Sequence, residues 1–587
     1  MRIVVAAVLA VLAVLAWPVV ATAAPQPERA WEHARALVRD IGPRPAGSPA
    51  ARAAADYVFG YFARLGVAVE RIPVGQQHVP AIELAGDVVV AARDVALDDD
   101  TIVATLPATG GVVGPAILIM AHVDTVAGVP GAIDNAAAVG VLLELGRALH
   151  ELDARPHEII LAATAGEEVG LVGARALAAT FEPGRIGVAL SLDLIGRSGP
   201  VTLNGLSANL GEAWLDRIAA AADGTRVAIE APLTHQVVSR FAPQLERSDH
   251  GAFTELGVPA FHLFHRGPGR IYLQYHRPAD TLEQIDAEAM SSALTLLHAF
   301  VLDEASLPPP RGEPATWMPV GASWVVRDRV LWIVELVMLA LGIIGIVRGT
   351  SLSVTWRRRG SSALLALGVV MLAWLITAAV EFLALALGRH PQPWIHAPGR
   401  WTVSTLLVVG ALLAAGSVWL RSRPHLVRSA GALALVLAIA PGALLLWFDV
   451  VALAWIPLVH GVGLAAMVWA QDRRTRALVL AVTAFPAWAC VDPEFLREAS
   501  FHGFLPDTAR LTLVLVVPFA STSLVAVRLL SEIAIPVRWR IVMLVVAGAT
   551  WIAVAVGAAF GGRQCEAPDF RSDGLACELE FTSAPAR

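Results

Sequence analysis

Residues 117–125 read I-L-I-M-A-H-V-D-T, an apolar run that ends in His122 and Asp124. Its length and its aliphatic side chains predict a buried strand. Three further apolar runs have the same character and alternate with five helical patterns. The predicted strands are 117–121, 158–163, 187–192 and 260–264, and the predicted helices are 28–41, 51–65, 136–149, 207–222 and 287–302. Strands that are apolar on both faces and separated by helices predict an α/β fold with a central sheet covered on two sides.

Acidic, histidine and tyrosine side chains follow these predicted strands again and again. Besides His122 and Asp124, they are Asp134, Glu167, Glu168, Asp193, Tyr275, His276 and Asp280. Ligands bind at the carboxyl ends of the strands in an open α/β sheet. Taken singly, each residue has an ordinary explanation, such as a helix cap for Asp134 or a solvated corner for Glu167 and Glu168. Taken together, two histidines and three carboxylates without thiolates are suited to a pair of divalent cations.

The composition excludes several classes of protein and of site. Of 587 residues, 56% are hydrophobic and 16% are charged, whereas a soluble domain is about 45–50% apolar and about 25% charged. The formal net charge of -6 gives no basic surface for nucleic acid. All 44 basic residues are arginine, which excludes a lysine Schiff base or a lysine general base. Since the chain has only 3 cysteines, a disulfide scaffold and a thiolate zinc cluster are also excluded.

The sequence divides into five segments. An apolar run before A-T-A-A predicts a signal peptide over residues 1–24, with an uncleaved signal anchor as the alternative. The α/β domain covers residues 25–306, and a proline-rich linker covers 307–328. A polytopic all-α transmembrane domain is predicted over 329–560, followed by an extracytoplasmic tail over 561–587. Its apolar spans, about eight in number, lie near 329–347, 362–387, 402–420, 430–447, 449–470, 476–491, 511–530 and 541–560.

The placement of arginine predicts the orientation of this membrane domain. Alternate loops are rich in arginine, as at 357–359, whereas the opposite loops carry only Arg389, Arg400, Arg497 and Arg510. Because positive loops stay in the cytoplasm, the α/β domain and the tail are expected on the far side. Cys565 and Cys577 in the tail are then disulfide candidates, with two free thiols as the alternative. Arginine without lysine favours a bacterial envelope over a eukaryotic lumen.

An ordered set of short motifs resembles the family-28 metallopeptidases, the co-catalytic zinc aminopeptidase family. The motifs are G-P-R-P-A-G-S at 42–48, H-V-D at 122–124, I-D-N at 133–135, G-E-E-V-G-L-V-G at 166–173, L-D-L-I-G at 192–196, S-D-H at 248–250 and Y-H-R-P-A-D-T at 275–281. With its multi-span C-terminal part, the chain most resembles the membrane-bound endoplasmic reticulum metallopeptidase branch. The resemblance covers residues 30–305 and implies a zinc exopeptidase-like fold with a mixed central sheet flanked by helices.

The resemblance also implies how two Zn2+ ions would be held. His122 and Asp193 would bind one ion, Glu168 and His276 would bind the other, and Asp134 would bridge both. The peptide between Asp134 and Asn135 would be cis. Two such cations, about 3.5–4 Å apart, lower the pKa of a shared water and polarise the scissile carbonyl.

Four further residues would complete the site. Glu167 would take a proton from the water as general base and give it to the leaving amine. Tyr275 would donate a hydrogen bond to the developing oxyanion. Asp124 would accept the second ring N–H of His122 and so fix its tautomer. Asp249 would lie close to the site, with capping of a helix at 251–256 as the alternative.

The predicted function is a membrane-anchored, zinc-dependent exopeptidase that hydrolyses peptide bonds through a dizinc-bound hydroxide. An aminopeptidase is favoured, and a carboxypeptidase or dipeptidase stays open. The sequence is also compatible with a glutaminyl-cyclase-like acyl transferase that uses a single zinc, and with a membrane transporter or scaffold whose outer domain binds peptides. The expected partners are a peptide substrate and the lipid bilayer, and no nucleic acid.

Overall fold

The computed structural model describes residues 24–349, 439–478 and 536–561 with short gaps. The gaps lie at 85–86, 110–113, 208, 233–234, 237–238, 240–247, 268–271, 273, 306, 309–314, 321, 441, 448–450, 470–473 and 476–477. The described residues pack as two compact units. The first unit takes its residues from 1–232, 246–313 and 319–323, and the second takes them from 233–245, 314–318 and 324–587.

The helices and strands of the α/β domain follow one another in an order that starts with two helices. They are α1 (Pro27–Arg35, continued by a π-helical turn at Ala36–Ile41), α2 (Pro49–Leu65), β1 (Ala68–Val79), β2 (Ile82–Leu84), β3 (Asp87–Val90), β4 (Arg93–Leu106), β5 (Ala116–His122), α3 (Ala137–His150), β6 (Ile159–Thr164), α4 (Val172–Ala178), β7 (Ile186–Leu192), β8 (Val201–Asn204), α5 (Glu212–Thr225), β9 (Ile229–Glu230), α6 (His250–Thr254), β10 (Ala260–His265) and α7 (Ala287–Leu302).

Eight of these strands form one mixed sheet in the order β1-β4-β6-β5-β7-β10-β8-β9. Strand β5 pairs in parallel with both β6 and β7, and β7 pairs in parallel with β10. The outer pairs β1–β4, β4–β6 and β8–β10 are antiparallel. Parallel strands end at the same edge, so the residues that follow β5, β6, β7 and β10 are brought together there.

The predicted α/β fold with a mixed central sheet is confirmed. All four predicted strands and all five predicted helices are present, and α5 begins five residues later than expected, at Glu212. Strands β1, β4, β8 and β9 were not predicted. In β1 most residues face solvent and in β4 the charged run at 98–100 interrupts the apolar pattern, so neither is apolar on both faces.

Helix α3 is the most deeply buried helix of the domain, and every residue from Ala137 to Leu149 is buried. It packs against α1 at Gly140, where an added Cβ would collide with the backbone carbonyl oxygen of Ala30. Helix α2 begins at Pro49, with the Ser48 hydroxyl accepting a hydrogen bond from the N–H of Ala51, and ends at Gly66 with φ of +78°. These caps follow from residue types that favour helix starts and left-handed ends.

The second unit contains helices α8 (Asp328–Gly349), α9 (Val451–Trp469) and α10 (Val537–Gly561). Within the described residues, no helix combines the length and the apolar character that crossing a membrane requires. The predicted signal segment before residue 24, most of the eight predicted spans, and the tail with Cys565 and Cys577 lie outside the described residues. The predicted linker contains a two-stranded sheet of β11 (Ala315–Val320) and β12 (Ala322–Arg327).

Candidate metal centre

Five side chains that were singled out from the sequence converge at the carboxyl edge of the parallel strands. His122 Nε2 lies 3.2 Å from Asp134 Oδ1 and 3.7 Å from Asp193 Oδ1. His276 Nε2 lies 3.4 Å from Asp134 Oδ2 and 3.0 Å from Glu168 Oε2. Asp134 therefore faces one imidazole with each of its two carboxylate oxygens, as a bridging ligand would.

The strands explain most of this convergence. His122 is the last residue of β5, and Asp193 directly follows β7. Glu167 and Glu168 come three and four residues after the end of β6. His276 lies in the loop between β10 and α7, where its φ of +58° is left-handed. A left-handed backbone is uncommon for a residue with a side chain and often marks a functional site.

The residues present fit divalent cations. Ligand-type atoms of four of these side chains make no hydrogen bond within the described part of the chain, namely His122 Nε2, Glu168 Oε1, Asp193 Oδ1 and His276 Nε2. Buried polar atoms are normally satisfied, because leaving one unpaired costs about 1–3 kcal/mol. Ligand atoms of His122, Asp134 and Glu168 all lie within 4.8 Å of one another. Imidazole nitrogens and carboxylate oxygens are the donors that zinc accepts in catalytic sites.

The electrostatics of the cluster also favour added positive charge. Burial, followed by the charge of Asp134, raises the pKa of Glu168 to about 7. Burial by itself lowers the pKa of His276, but the carboxylates of Asp134 and Glu168 raise it to about 10. Burial by itself raises the pKa of Asp134, and the imidazoles of His122 and His276 lower it below the usual range. The carboxylates thus hold the two imidazoles in their cationic form, a place that metal ions would take.

Two expectations about Asp134 can be compared with the structure. Its peptide bond to Asn135 is cis, as the resemblance implied. The alternative that it caps the following helix is wrong, because α3 begins at Ala137 and its N-cap is Ala136, without a side-chain hydrogen bond. Asn135 instead donates from Nδ2 to the carbonyl oxygen of Leu192, at 2.7 Å, and so ties this segment to the end of β7.

Asp124 lies beneath the cluster, fully buried, but it makes different contacts from those expected. The acceptor within hydrogen-bond distance of His122 Nδ1 is the backbone carbonyl oxygen of Asp124, at 3.1 Å, and the nearest carboxylate oxygen lies 3.8 Å away. The carboxylate accepts hydrogen bonds from the backbone N–H groups of Glu167 and Glu168, at 3.1 and 3.2 Å. Asp124 therefore holds the Glu167–Glu168 turn.

The other three predicted residues lie around the cluster. Glu167 is buried, and burial raises the pKa of its carboxyl group well above the usual range. The ring of Tyr275 stacks on that of His276, with 3.8 Å between ring centroids. Asp249 is fully buried and accepts a hydrogen bond from the hydroxyl of Thr164, at 2.5 Å. It does not cap α6, since its side chain makes no cap hydrogen bond.

Arg44 is a site residue that the sequence analysis missed. Its guanidinium is completely buried and donates to the carbonyl oxygens of Val123, Pro130 and Gly131, besides those of Leu37 and Gly42. It thereby fixes both ends of the loop between His122 and Asp134. The only sequence signal was its place in G-P-R-P-A-G-S at 42–48, where an arginine lies between two prolines.

Comparisons with known proteins agree with this geometry. Residues 101–301 match the model of Peptidase family M28. Over 196 residues the chain is 28% identical to the aminopeptidase YwaD of Bacillus subtilis, which covers 32% of this chain and 40% of that protein. Over 71 residues it is 41% identical to a probable zinc metalloprotease of Pyrenophora tritici-repentis, which covers 12% and 16%. The chain thus spans less than half the length of these relatives.

Among solved structures, an aminopeptidase from Aneurinibacillus sp. strain AM-1 is similar with a TM-score of 0.41 and 19% identity, covering 49% of this chain and 96% of that one. The matched range 101–301 includes all five converging side chains together with Asp124, Glu167, Asp249 and Tyr275. The resemblance to the family-28 metallopeptidases is confirmed, and the likeness to the endoplasmic reticulum branch stays a prediction. Residues 101–301 form a domain of peptidase family M28.

Proposed function

We propose that the α/β domain is a zinc-dependent exopeptidase of the aminopeptidase type. The observation that carries the proposal is the convergence of His122, Asp134, Glu168, Asp193 and His276 at one edge of the sheet, with buried ligand atoms that lack hydrogen bonds in the described part of the chain. The names of the relatives, an aminopeptidase and a probable zinc metalloprotease, point the same way.

The geometry favours two ions over one. His122 and Asp193 would hold the first, Glu168 and His276 would hold the second, and Asp134 would contact both, since each of its oxygens faces a different imidazole. When bound, such a pair of cations would lower the pKa of a water and polarise the carbonyl of the scissile bond.

The residues of the chain supply the remaining steps. Glu167 accepts a proton from the attacking water and then delivers it to the leaving amine, a role worth about 10²–10⁴-fold in rate. Tyr275 donates a hydrogen bond to the oxygen of the tetrahedral intermediate. Asp124 holds the backbone N–H groups of Glu167 and Glu168, so that the base and its neighbouring ligand keep a fixed relative orientation.

The test is hydrolysis of an aminoacyl p-nitroanilide by the full chain, before and after dialysis against a chelator, with zinc per chain counted by mass spectrometry. The proposal expects hydrolysis that the chelator abolishes and zinc restores, and two zinc ions per chain. A single zinc together with cyclisation of an N-terminal glutaminyl peptide would replace it by the acyl-transferase function. No zinc and no turnover would leave a peptide-binding domain without chemistry.

We also propose that residues 329–560 anchor the domain on the outer side of a cell membrane, the bacterial one being favoured. The apolar spans of the sequence and the alternation of arginine-rich loops support this arrangement. Large apolar side chains exposed on α8 and α10, such as Ile333, Val337, Val545 and Ile552, are suited to lipid.

Alkaline phosphatase fused after Arg400 should be active, and fused after Arg358 it should be inactive. Release of the full chain from membranes by alkaline carbonate would contradict the anchor. With this orientation, Cys565 and Cys577 should resist alkylation until they are reduced.

A further inference from the structure

Asp280 has no role in the proposed chemistry, yet it is one of the most fully contacted carboxylates in the domain. It is completely buried. Its Oδ1 accepts hydrogen bonds from the N–H of Ile133 at 2.9 Å and from the hydroxyl of Tyr272 at 2.6 Å. Its Oδ2 accepts from the N–H of Asp134 at 3.1 Å, and its backbone carbonyl oxygen accepts from the N–H of Ala132 at 3.3 Å. Three consecutive backbone N–H groups therefore depend on this one residue.

These N–H groups belong to the segment that carries the central candidate ligand. The segment at 132–134 lies between β5 and α3, and Asp134 has non-helical backbone angles. Neither a sheet ladder nor the helix supplies acceptors for it, and unpaired buried N–H groups are costly. A carboxylate that accepts two adjacent N–H groups restricts both the position and the rotation of the backbone between them.

Asp280 is itself held in place from two sides. The hydroxyl of Tyr272 reaches Oδ1, and the guanidinium of Arg197 lies over the Tyr272 ring, 4.9 Å from its centroid. The backbone N–H of Asp280 donates to the carbonyl oxygen of Arg277 at 2.9 Å. The loop that bears His276 thus also bears the acceptor that fixes Asp134, and the two imidazole–carboxylate distances of Asp134 depend on one short piece of chain.

We propose that Asp280 is a positioning residue that sets the geometry of the metal pair by fixing the backbone of Asp134 against the loop of His276. The inference rests on the proposed function, in which these side chains hold zinc. Because residues that orient metal ligands typically contribute about 10–100-fold to metal affinity, Asp280→Asn should weaken zinc binding by about that factor. An asparagine keeps the shape but presents an NH₂ group to one of the two backbone N–H groups that the carboxylate accepts.

The experiment measures the zinc dissociation constants of the full chain by chelator competition, together with hydrogen exchange of the apo-protein over the peptide that contains 132–134. Asp280→Asn should raise the dissociation constant and speed exchange in that peptide. Asp286→Asn is the matched control, because Asp286 also accepts from two backbone N–H groups, those of Glu288 and Ala289, but caps α7 instead of holding a candidate ligand. The control should bind zinc like the wild type.

Tyr272→Phe keeps the carboxylate and removes only the hydroxyl that steadies it, so it should lose a few-fold in zinc affinity even if Asp280→Asn fails to fold. Wild-type affinity in both Asp280→Asn and Tyr272→Phe, or an equal loss in Asp286→Asn, would overturn the inference. Failure of the wild-type chain to bind zinc would instead overturn the proposed function.

Discussion

At the scale of single residues, the site depends on two adjacent glutamates having different tasks. The backbone N–H groups of Glu167 and Glu168 are both held by Asp124, and the carboxylate of Glu168 lies 3.0 Å from His276 Nε2. The carboxyl group of Glu167 is buried as well but forms no ion pair of this kind among the described residues. The turn after β6 therefore separates a candidate ligand from a candidate base.

Glu167→Gln should keep both zinc ions and reduce kcat by at least about 10²-fold, because an amide cannot accept the proton of the attacking water. Glu168→Gln is the matched variant and should lose zinc instead. Zinc content by mass spectrometry and kcat from a chromogenic aminoacyl substrate are measured on both proteins. If Glu167→Gln loses zinc while Glu168→Gln keeps it, the two roles are exchanged.

His33 predicts a pH dependence of folding that is independent of the metal centre. Burial, together with the charges of Arg29 and Arg64, lowers the pKa of this imidazole to about 4. In the unfolded chain its pKa is about 6.5, so between these values the unfolded state binds a proton that the folded state does not. The contribution of His33 to stability is therefore complete above pH 6.5 and is lost as the pH falls toward 4, by about 3 kcal/mol.

His33→Gln should remove this part of the pH dependence, because glutamine does not titrate but can still bond to the hydroxyl of Tyr57, which lies 2.7 Å from His33 Nδ1. The measurement is the free energy of unfolding of the first unit in the full chain, by pulse proteolysis in urea at pH 7 and pH 4.5. Tyr57→Phe keeps the imidazole and should keep the slope. A wild-type slope in His33→Gln would contradict the assignment.

At the scale of elements, the contact between α1 and α3 leaves no room at Gly140. A Cβ there would collide with the backbone carbonyl oxygen of Ala30, which cannot move without its helix. Gly140→Ala should therefore destabilise the domain by about 1–3 kcal/mol, although alanine favours a helix by about 1 kcal/mol. Gly60→Ala in α2 is the control and should raise stability by up to about 1 kcal/mol, since its Cβ meets only the flexible end of Arg64, at 3.1 Å. Urea unfolding of both variants checks the sign, and equal effects would refute the argument.

The elements that could be predicted from the sequence are those whose signal is local. Strands β5, β6, β7 and β10 are buried along their whole length, so their apolar runs stand out. Strands β1 and β4 are stabilised by pairing with each other and present charged residues to solvent, so no local pattern marks them.

The same distinction separates the candidate ligands from the residues that support them. His122 and Asp193 adjoin strands, and the sequence indicates them for that reason. Arg44 and Asp280 act on backbone groups up to 87 and 147 residues away, which no local pattern can reveal. Asp124 was found but given the wrong contact, because the turn at Glu167 brings two N–H groups to its carboxylate that the sequence does not show.

At the scale of the whole molecule, the chain consists of two units, and all candidate ligands belong to the first. Any ion that binds the folded domain and not the unfolded one stabilises it by an amount that grows with the logarithm of its free concentration. At a free zinc concentration about 1,000 times the dissociation constant, this is about 4 kcal/mol for one site. The carboxylates that crowd around His122 and His276 add a repulsion that appears only when the ions leave.

Removal of zinc by a chelator should therefore lower the unfolding free energy of the first unit by several kcal/mol and leave the second unit unchanged. The measurement is pulse proteolysis of the full chain in membranes or detergent, with tags at residue 25 and at the C-terminus that report each unit separately. Zinc added back should restore resistance at the N-terminal tag alone, and Asp193→Asn should reduce the effect because it removes one charge from a candidate ligand. Equal loss of resistance at both tags would mean that the ions stabilise more than the α/β domain, and no loss at either would mean that the cluster does not bind them.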